Sequence, residues 1–132
     1  MPDQPSDAGP RIILVGHCGP DAYALRSAVS RMADGASVQF AADEQALQAE
    51  IPRADLLLIN RLLDGDYARS TGLELIRDIA ASDTPDKPAM MLISNFADAQ
   101  ADAVSAGASP GFGKKDMYSE ETRKRVLAAL GR

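Results

Sequence analysis

An α/β fold, a doubly wound parallel sheet with helices on both faces, is what the order of patterns along this chain predicts, and three observations carry it. Short runs of large aliphatic residues alternate five times with segments of helical periodicity. The strongest of those runs lack the polar–apolar alternation of a sheet with one wet face, so they belong to strands covered on both sides. Glycine, proline and cap residues stand where strand must turn into helix. Right-handed crossovers between parallel strands then give three layers in a single domain.

The first ten residues, MPDQPSDAGP, hold three prolines and no large apolar residue after Met1, and read as a flexible leader (1–10) ahead of a domain over 11–132. Arg11 to Gly16 (RIILVG) is the first strand. It meets the turn Gly16 to Gly19, and Pro20 and Asp21 suit the first turn of a helix, where proline lacks only a donor that would go unpaired. Leu25, Ala28, Val29 and Met32 make that helix's apolar stripe, and Gly35 stops it.

Ser37 to Phe40 is the second strand; Asp43 caps a short helix that turns Leu47 and Ile51 inward before Pro52 ends it. Ala54 to Asn60 (ADLLLIN) has four consecutive large aliphatics and must be central. After the segment 61–71, Thr71 and Glu74 stand at capping-box spacing, with Leu75, Ile76 and Ile79 as the buried stripe. Ala89 to Ser94 (AMMLIS) is the fourth strand, and the alanine-rich stretch Ala97 to Ala106 is a helix stopped by Gly107. A weak fifth strand is expected over Gly111 to Lys114. Ser119, Glu120 and Glu121 open a last helix that turns Val126, Leu127 and Leu130 inward.

The composition permits one core and no more. Of the 132 residues 60 are apolar, but 23 of these are alanine; Val, Ile, Leu and Phe number 28, or 21%, just above the level of a disordered chain. A net charge of -5, from 14 basic and 19 acidic residues, works against a surface that tracks nucleic-acid phosphates, and six aromatics without tryptophan leave little to stack on bases. The single cysteine, Cys18, makes no intramolecular disulfide and fits a reducing compartment. No apolar run approaches the roughly 20 residues of a membrane span. The expectation is a cytoplasmic domain with no nucleic-acid or membrane binding of its own.

In a doubly wound sheet the functional crevice lies at the carboxyl ends of the strands, where their order reverses. The residues that end the strands are His17 and Cys18, Asn60, Ser94, and Lys114 or Lys115. At these positions, and in the order and spacing of RIILVG, PDAYALRSAV, ADLLLIN, TGLELIRDIA, AMMLIS, AGA and GFGKKD, the chain resembles the receiver domain of two-component response regulators, a flavodoxin-like (βα)5 fold in phosphorelay signalling. The resemblance covers Arg11 to about Leu130. It implies an aspartate phosphoacceptor at the end of the third strand, an acidic pair that binds magnesium after the first, a hydroxyl ending the fourth and a lysine ending the fifth.

Carried over by position, the acceptor falls on Asn60 and the acidic pair on His17 and Cys18, or one residue earlier on Gly16 and His17; neither register holds a carboxylate. The hydroxyl falls on Ser94, the lysine on Lys114 or Lys115, and Phe112 takes the place of the family's switching aromatic. An amide cannot form a stable acyl phosphate, and magnesium needs hard, usually carboxylate, ligands. His17 and Cys18, adjacent and without a third soft ligand, do not complete a zinc site either. The resemblance therefore implies a pseudo-receiver that binds no magnesium, is no enzyme, and acts through protein partners. The crevice lysine, facing neutral Asn60, His17 and Ser94, predicts an electropositive crevice that takes up sulfate or phosphate.

Two rival readings stay open. One is a working receiver phosphorylated on Asp64 or Asp66, in a loop expected to be flexible and solvated. The other is a flavodoxin-like small-ligand binding protein or enzyme built on the GHCG turn and Cys18.

Overall fold

The computed structural model describes residues 9–132, and the statements below concern those residues. Five parallel strands, β1 (Arg11–Val15), β2 (Ser37–Ala41), β3 (Leu56–Asn60), β4 (Ala89–Ile93) and β5 (Ser109–Phe112), form one sheet in the order β2-β1-β3-β4-β5. Five helices connect or follow them: α1 (Gly19–Met32), α2 (Glu44–Glu50), α3 (Gly72–Ala81), α4 (Ala97–Ala106) and α5 (Glu120–Ala129). Single 3₁₀ turns occupy Ile51–Arg53 and Lys114–Asp116.

Successive strand residues point to opposite faces, and the two cores follow that period. Ile13, Val15, Leu57, Ile59 and Leu92 pack with Leu47 of α2, Leu75, Ile76 and Ile79 of α3 and Ala103 of α4. Ile12, Leu14, Leu56, Leu58 and Met91 pack on the other face with Leu25 and Val29 of α1 and Val126 of α5. Leu56 to Ile59 are wholly buried, which is why β3 shows no alternation in sequence. At about 25 cal/mol per Å² of apolar surface, each such side chain contributes roughly 2 kcal/mol on leaving water.

The caps form as their spacing requires. Asp43 accepts from Ala46 N (2.8 Å), Ser119 from Thr122 N (3.1 Å), and Thr71 and Glu74 complete a reciprocal capping box. Leu127 and Leu130 are half-buried beside the fully buried Val126. Residues 1–8 of the expected leader lie outside the described residues. Gly9 and Pro10 do not stand apart from the domain: Pro10 is buried, its carbonyl accepts from Ser37 N (2.9 Å), and Gly9 lies so close to Gly35 that a Cβ would meet its carbonyl at 2.0 Å.

The limits of all five strands differ from expectation: β1 ends at Val15 and β4 at Ile93, each one residue early, and the other three shift as follows. β2 continues to Ala41. β3 starts at Leu56, because Asp55 serves as a polar link: its carboxylate accepts from Arg11 N (2.7 Å) and its carbonyl from Ala89 N (3.0 Å). β5 runs two residues earlier than Gly111 to Lys114. Pro110 is tolerated on an edge strand, and after Phe112 the chain leaves the sheet at Gly113, where a Cβ would sit 1.8 Å from Asn95 Oδ1. Gln100 of α4 replaces part of the β4–β5 ladder across a bulge, donating to the Leu92 (2.8 Å) and Ser94 (3.1 Å) carbonyls and accepting from Gly111 N (3.1 Å).

Candidate functional site

The carboxyl ends of β1, β3, β4 and β5 bring Asn60, Ser94 and Lys114 to one crevice of about 190 Å³. Asn60 is its hub. The amide nitrogen donates to the Gly16 carbonyl (3.1 Å) and the Leu62 carbonyl (2.8 Å), and the amide oxygen accepts from Lys114 Nζ (3.4 Å). One carboxamide thus joins the ends of β1 and β3 and the turn after β5. Two carbonyl oxygens converge on its NH₂, a place suited to a donor and hostile to a carboxylate.

Lys114, and not Lys115, enters the crevice. Lys115 is exposed and lies in a separate groove with Asn95, which accepts from its backbone N–H at 3.4 Å. The Lys114 ammonium donates to Asp21 Oδ2 at 2.7 Å. This corrects the expected uncompensated lysine. Asp21, in the first turn of α1, supplies the carboxylate that the positions after β1 lack, and it does so to a lysine rather than to a metal. Lys114 first, then the Cys18 thiol, holds the Asp21 carboxyl below its ordinary range. Cys18 is the N-cap of α1, half-buried, and offers no oxygen ligand.

His17 turns into the protein. Its Nε2–H donates to the Leu58 carbonyl (3.0 Å), while Nδ1 is buried without a partner. Burial is the main cause that pushes its pKa down to about 4, with Lys114 adding to the fall and the Leu58 carbonyl opposing it. The ring is neutral at pH 7. Gly16, just before it, has a φ of 80° and would place a Cβ 2.6 Å from Leu63 Cδ2, so glycine is required at this turn.

Ser94 is buried at the end of β4, where its hydroxyl oxygen accepts from Phe96 N (3.1 Å). Phe112 is not brought to the crevice. It is 3% exposed in the core beneath α1 and α5, and the aromatic ring at the crevice rim is Phe96, 60% exposed, with the Arg61 guanidinium 5.0 Å from its centroid.

The segment 61–71 is not the loose loop expected. Asp64 N donates to the Gly16 carbonyl (2.9 Å) and Leu63 N to the Ser70 carbonyl (3.0 Å). Arg69 bridges Glu44 (3.1 Å) and Asp78 (2.6 Å). The Tyr67 hydroxyl donates to the Ala41 carbonyl and accepts from Gly16 N (3.1 Å). Asp64 lines a second cavity of about 320 Å³ with His17, Tyr23, Phe40 and Tyr67; neither Asp64 nor Asp66 lines the crevice that holds Lys114.

As a donor set for magnesium these residues fit poorly: one carboxylate already carries an ammonium, Asn60 turns its NH₂ toward the two carbonyls, and His17 is tied to Leu58. Among the described residues no three His, Cys, Asp or Glu side chains are grouped to hold a metal ion, and no helix is long and apolar enough to cross a membrane.

The five-stranded sheet and its order are those of the flavodoxin-like receiver fold. The chain is similar in structure to the signal receiver domain of a DNA-binding response regulator from Colwellia psychrerythraea 34H, with a TM-score of 0.72 and 13% identity over 92% of this chain and 98% of that one. A response regulator from Thermotoga maritima matches with a TM-score of 0.68 and 22% identity over 93% and 98%. A response regulator from Burkholderia pseudomallei, solved with a phosphorylated aspartic acid, matches with a TM-score of 0.62 and 17% identity over 92% of this chain and 66% of that one. No protein-family model and no curated protein matches the sequence.

Proposed function

We propose that this chain is a receiver-like module of two-component signalling that acts by protein contact without being phosphorylated, a pseudo-receiver rather than an enzyme. The observation that carries the reading is the state of Asn60. An acceptor must present a carboxylate oxygen to the incoming phosphorus, whereas Asn60 presents an amide whose NH₂ is bonded to two carbonyls and whose oxygen is bonded to Lys114.

Asp21, Lys114 and Asn60 then form a closed chain of charge and hydrogen bonds where a phosphoryl group and magnesium would otherwise act. Near neutral pH His17 stays neutral and Asp21 ionised. The module presents one constant surface to a protein partner in the cytoplasm, and neither nucleic acid nor membrane is its ligand.

The test is incubation with acetyl phosphate and magnesium followed by intact-mass measurement. The mass stays unchanged, and millimolar magnesium leaves the thermal midpoint where an ionic-strength control puts it. A single phosphate adduct mapped to Asp21, Asp64 or Asp66, or a saturable magnesium-specific stabilisation, would overturn the reading.

A further inference from the structure

Resting on the reading that this site takes no phosphoryl group, we propose that the crevice receives one carboxylate side chain from a partner polypeptide, seated among Lys114, Ser94 and Arg61. The crevice is formed by Lys114, Ser94 and Asn60, with Arg61, Leu62 and Phe96 beside them, and none of its lining residues is acidic. Its donors are unspent. Of the three ammonium protons of Lys114, Asp21 takes one and Asn60 Oδ1 a second; the third has no partner among the described residues. Ser94 uses its oxygen as acceptor from Phe96 N, which leaves the hydroxyl proton to give. Arg61 lies over the Phe96 ring and forms no ion pair among the described residues.

Charge selects the ligand. Lys114 and Asp21 cancel, so the charge left at the crevice is the single positive charge of Arg61. A carboxylate neutralises it. A phosphomonoester, carrying about -1.5 to -2 at pH 7, would exceed it and face Asp21 across Lys114. The expectation of sulfate or phosphate in this crevice is thereby replaced by a singly charged ligand. Size agrees: the crevice, about 190 Å³, has room for a carboxylate with its stem. The rim adds a polypeptide requirement, because Leu62 (54% exposed) and Phe96 (60% exposed) offer apolar surface to residues flanking the acid.

The experiment uses the full ¹⁵N-labelled chain and begins with the acetyl phosphate mass measurement, so that a phosphorylated protein exposes failure of the underlying reading before any ligand is added. Acetylated tripeptide amides Leu-Glu-Leu, Leu-Gln-Leu and Leu-phosphoSer-Leu, and sodium acetate, are then titrated by amide chemical shift. The Glu peptide saturates at a Kd on the order of 1–10 mM, with shifts centred on Arg61, Ser94, Asn95 and Lys114. The Gln peptide binds roughly two- to fivefold more weakly, the increment expected of one exposed charge contact; acetate, which keeps the charge but lacks the apolar flanks, also binds more weakly, and the phosphoserine peptide binds no tighter than the Glu peptide. Arg61→Ala, an exposed change that leaves the core alone, weakens the Glu peptide about threefold or more. Equal binding of Glu and Gln peptides, tighter binding of the phosphoserine peptide, an unchanged Glu affinity in Arg61→Ala, or no shift at these residues would each overturn the proposal.

Discussion

The two sides of Asn60 have been treated differently by this sequence. On the β1 side, His17 folds over β3, Tyr67 bridges Gly16 to Ala41, and the segment 61–71 is bonded down to β1 and α2; the neutral His17 ring donates to the Leu58 carbonyl. On the β5 side, Lys114, Ser94 and Arg61 stay in an open crevice with donors to spare. One half of the crevice is thus closed by bonds that satisfy its backbone, while the other half leaves donors free. The expected consequence is that the closed half contributes stability and the open half contributes little.

The largest effect belongs to His17. Its folded pKa of about 4 lies below the unfolded value near 6.5, so the unfolded chain binds more protons between these limits. Stability from the neutral ring is fully present above pH 6.5 and is lost as pH falls from 6.5 to 4. The loss is on the order of 3 kcal/mol if the whole shift applies. His17 is the only histidine, so its ring resonances titrate without overlap, and their couplings report the Nε2–H tautomer. A ring that titrates near 6.5 would mean that this half is open too.

Asn60→Asp comes next. At neutral pH it loses two donated hydrogen bonds and sets a carboxylate against the carbonyls of Gly16 (3.1 Å) and Leu62 (2.8 Å), with Lys114 as partial relief. The expected destabilisation is about 1–3 kcal/mol in urea unfolding, smaller at a pH where the new acid is protonated. The variant still takes no phosphate from acetyl phosphate, because Gly16, His17 and Cys18 after β1 carry no carboxylate. An equally stable or efficiently phosphorylated variant would show a site disabled at one position only.

Tyr67→Phe tests the closure alone. It leaves Gly16 N–H and the Ala41 carbonyl without the bridging hydroxyl and costs about 1–2 kcal/mol. Amide exchange should rise at Gly16 while Lys114 and Ser94 are unchanged. Loss of protection across both halves would make them one unit and remove the distinction.

What the sequence made legible divides along the same line. β3 was readable because Leu56 to Ile59 are buried on both faces, and the α3 capping box because it is local in sequence. Asn60, Ser94 and a crevice lysine were readable because they end strands. Asp21 was visible only as a first-turn acid, since its partner Lys114 lies 93 residues away and a long-range ion pair leaves no periodicity. Tyr67 and Gln100 carry no local signal: each is a single side chain bonding backbone of other segments, which no sequence pattern records. β5 begins at Ser109 rather than Gly111, because an edge strand admits Pro110, which reads in sequence as a breaker.

The smallest effect is the most discriminating. Lys114 and Asp21 meet at 2.7 Å, but their side chains are 24% and 44% exposed, so water screens the pair. A double-mutant cycle of Lys114→Met and Asp21→Asn should give a coupling below about 1 kcal/mol, weaker still in high salt. The Asp21 carboxyl is held low by Lys114, so its contribution is present above its unfolded pKa and disappears as pH falls through the folded value, below the window in which His17 acts. The acid unfolding profile should therefore show a histidine component, removed by His17→Phe, and below it a carboxylate component to which Asp21 and Glu44 both contribute, reduced by Asp21→Asn. A coupling of several kcal/mol would place the ion pair in a dry, structural role. The β5 half would then be as closed as the β1 half, with no donor of Lys114 free for a ligand.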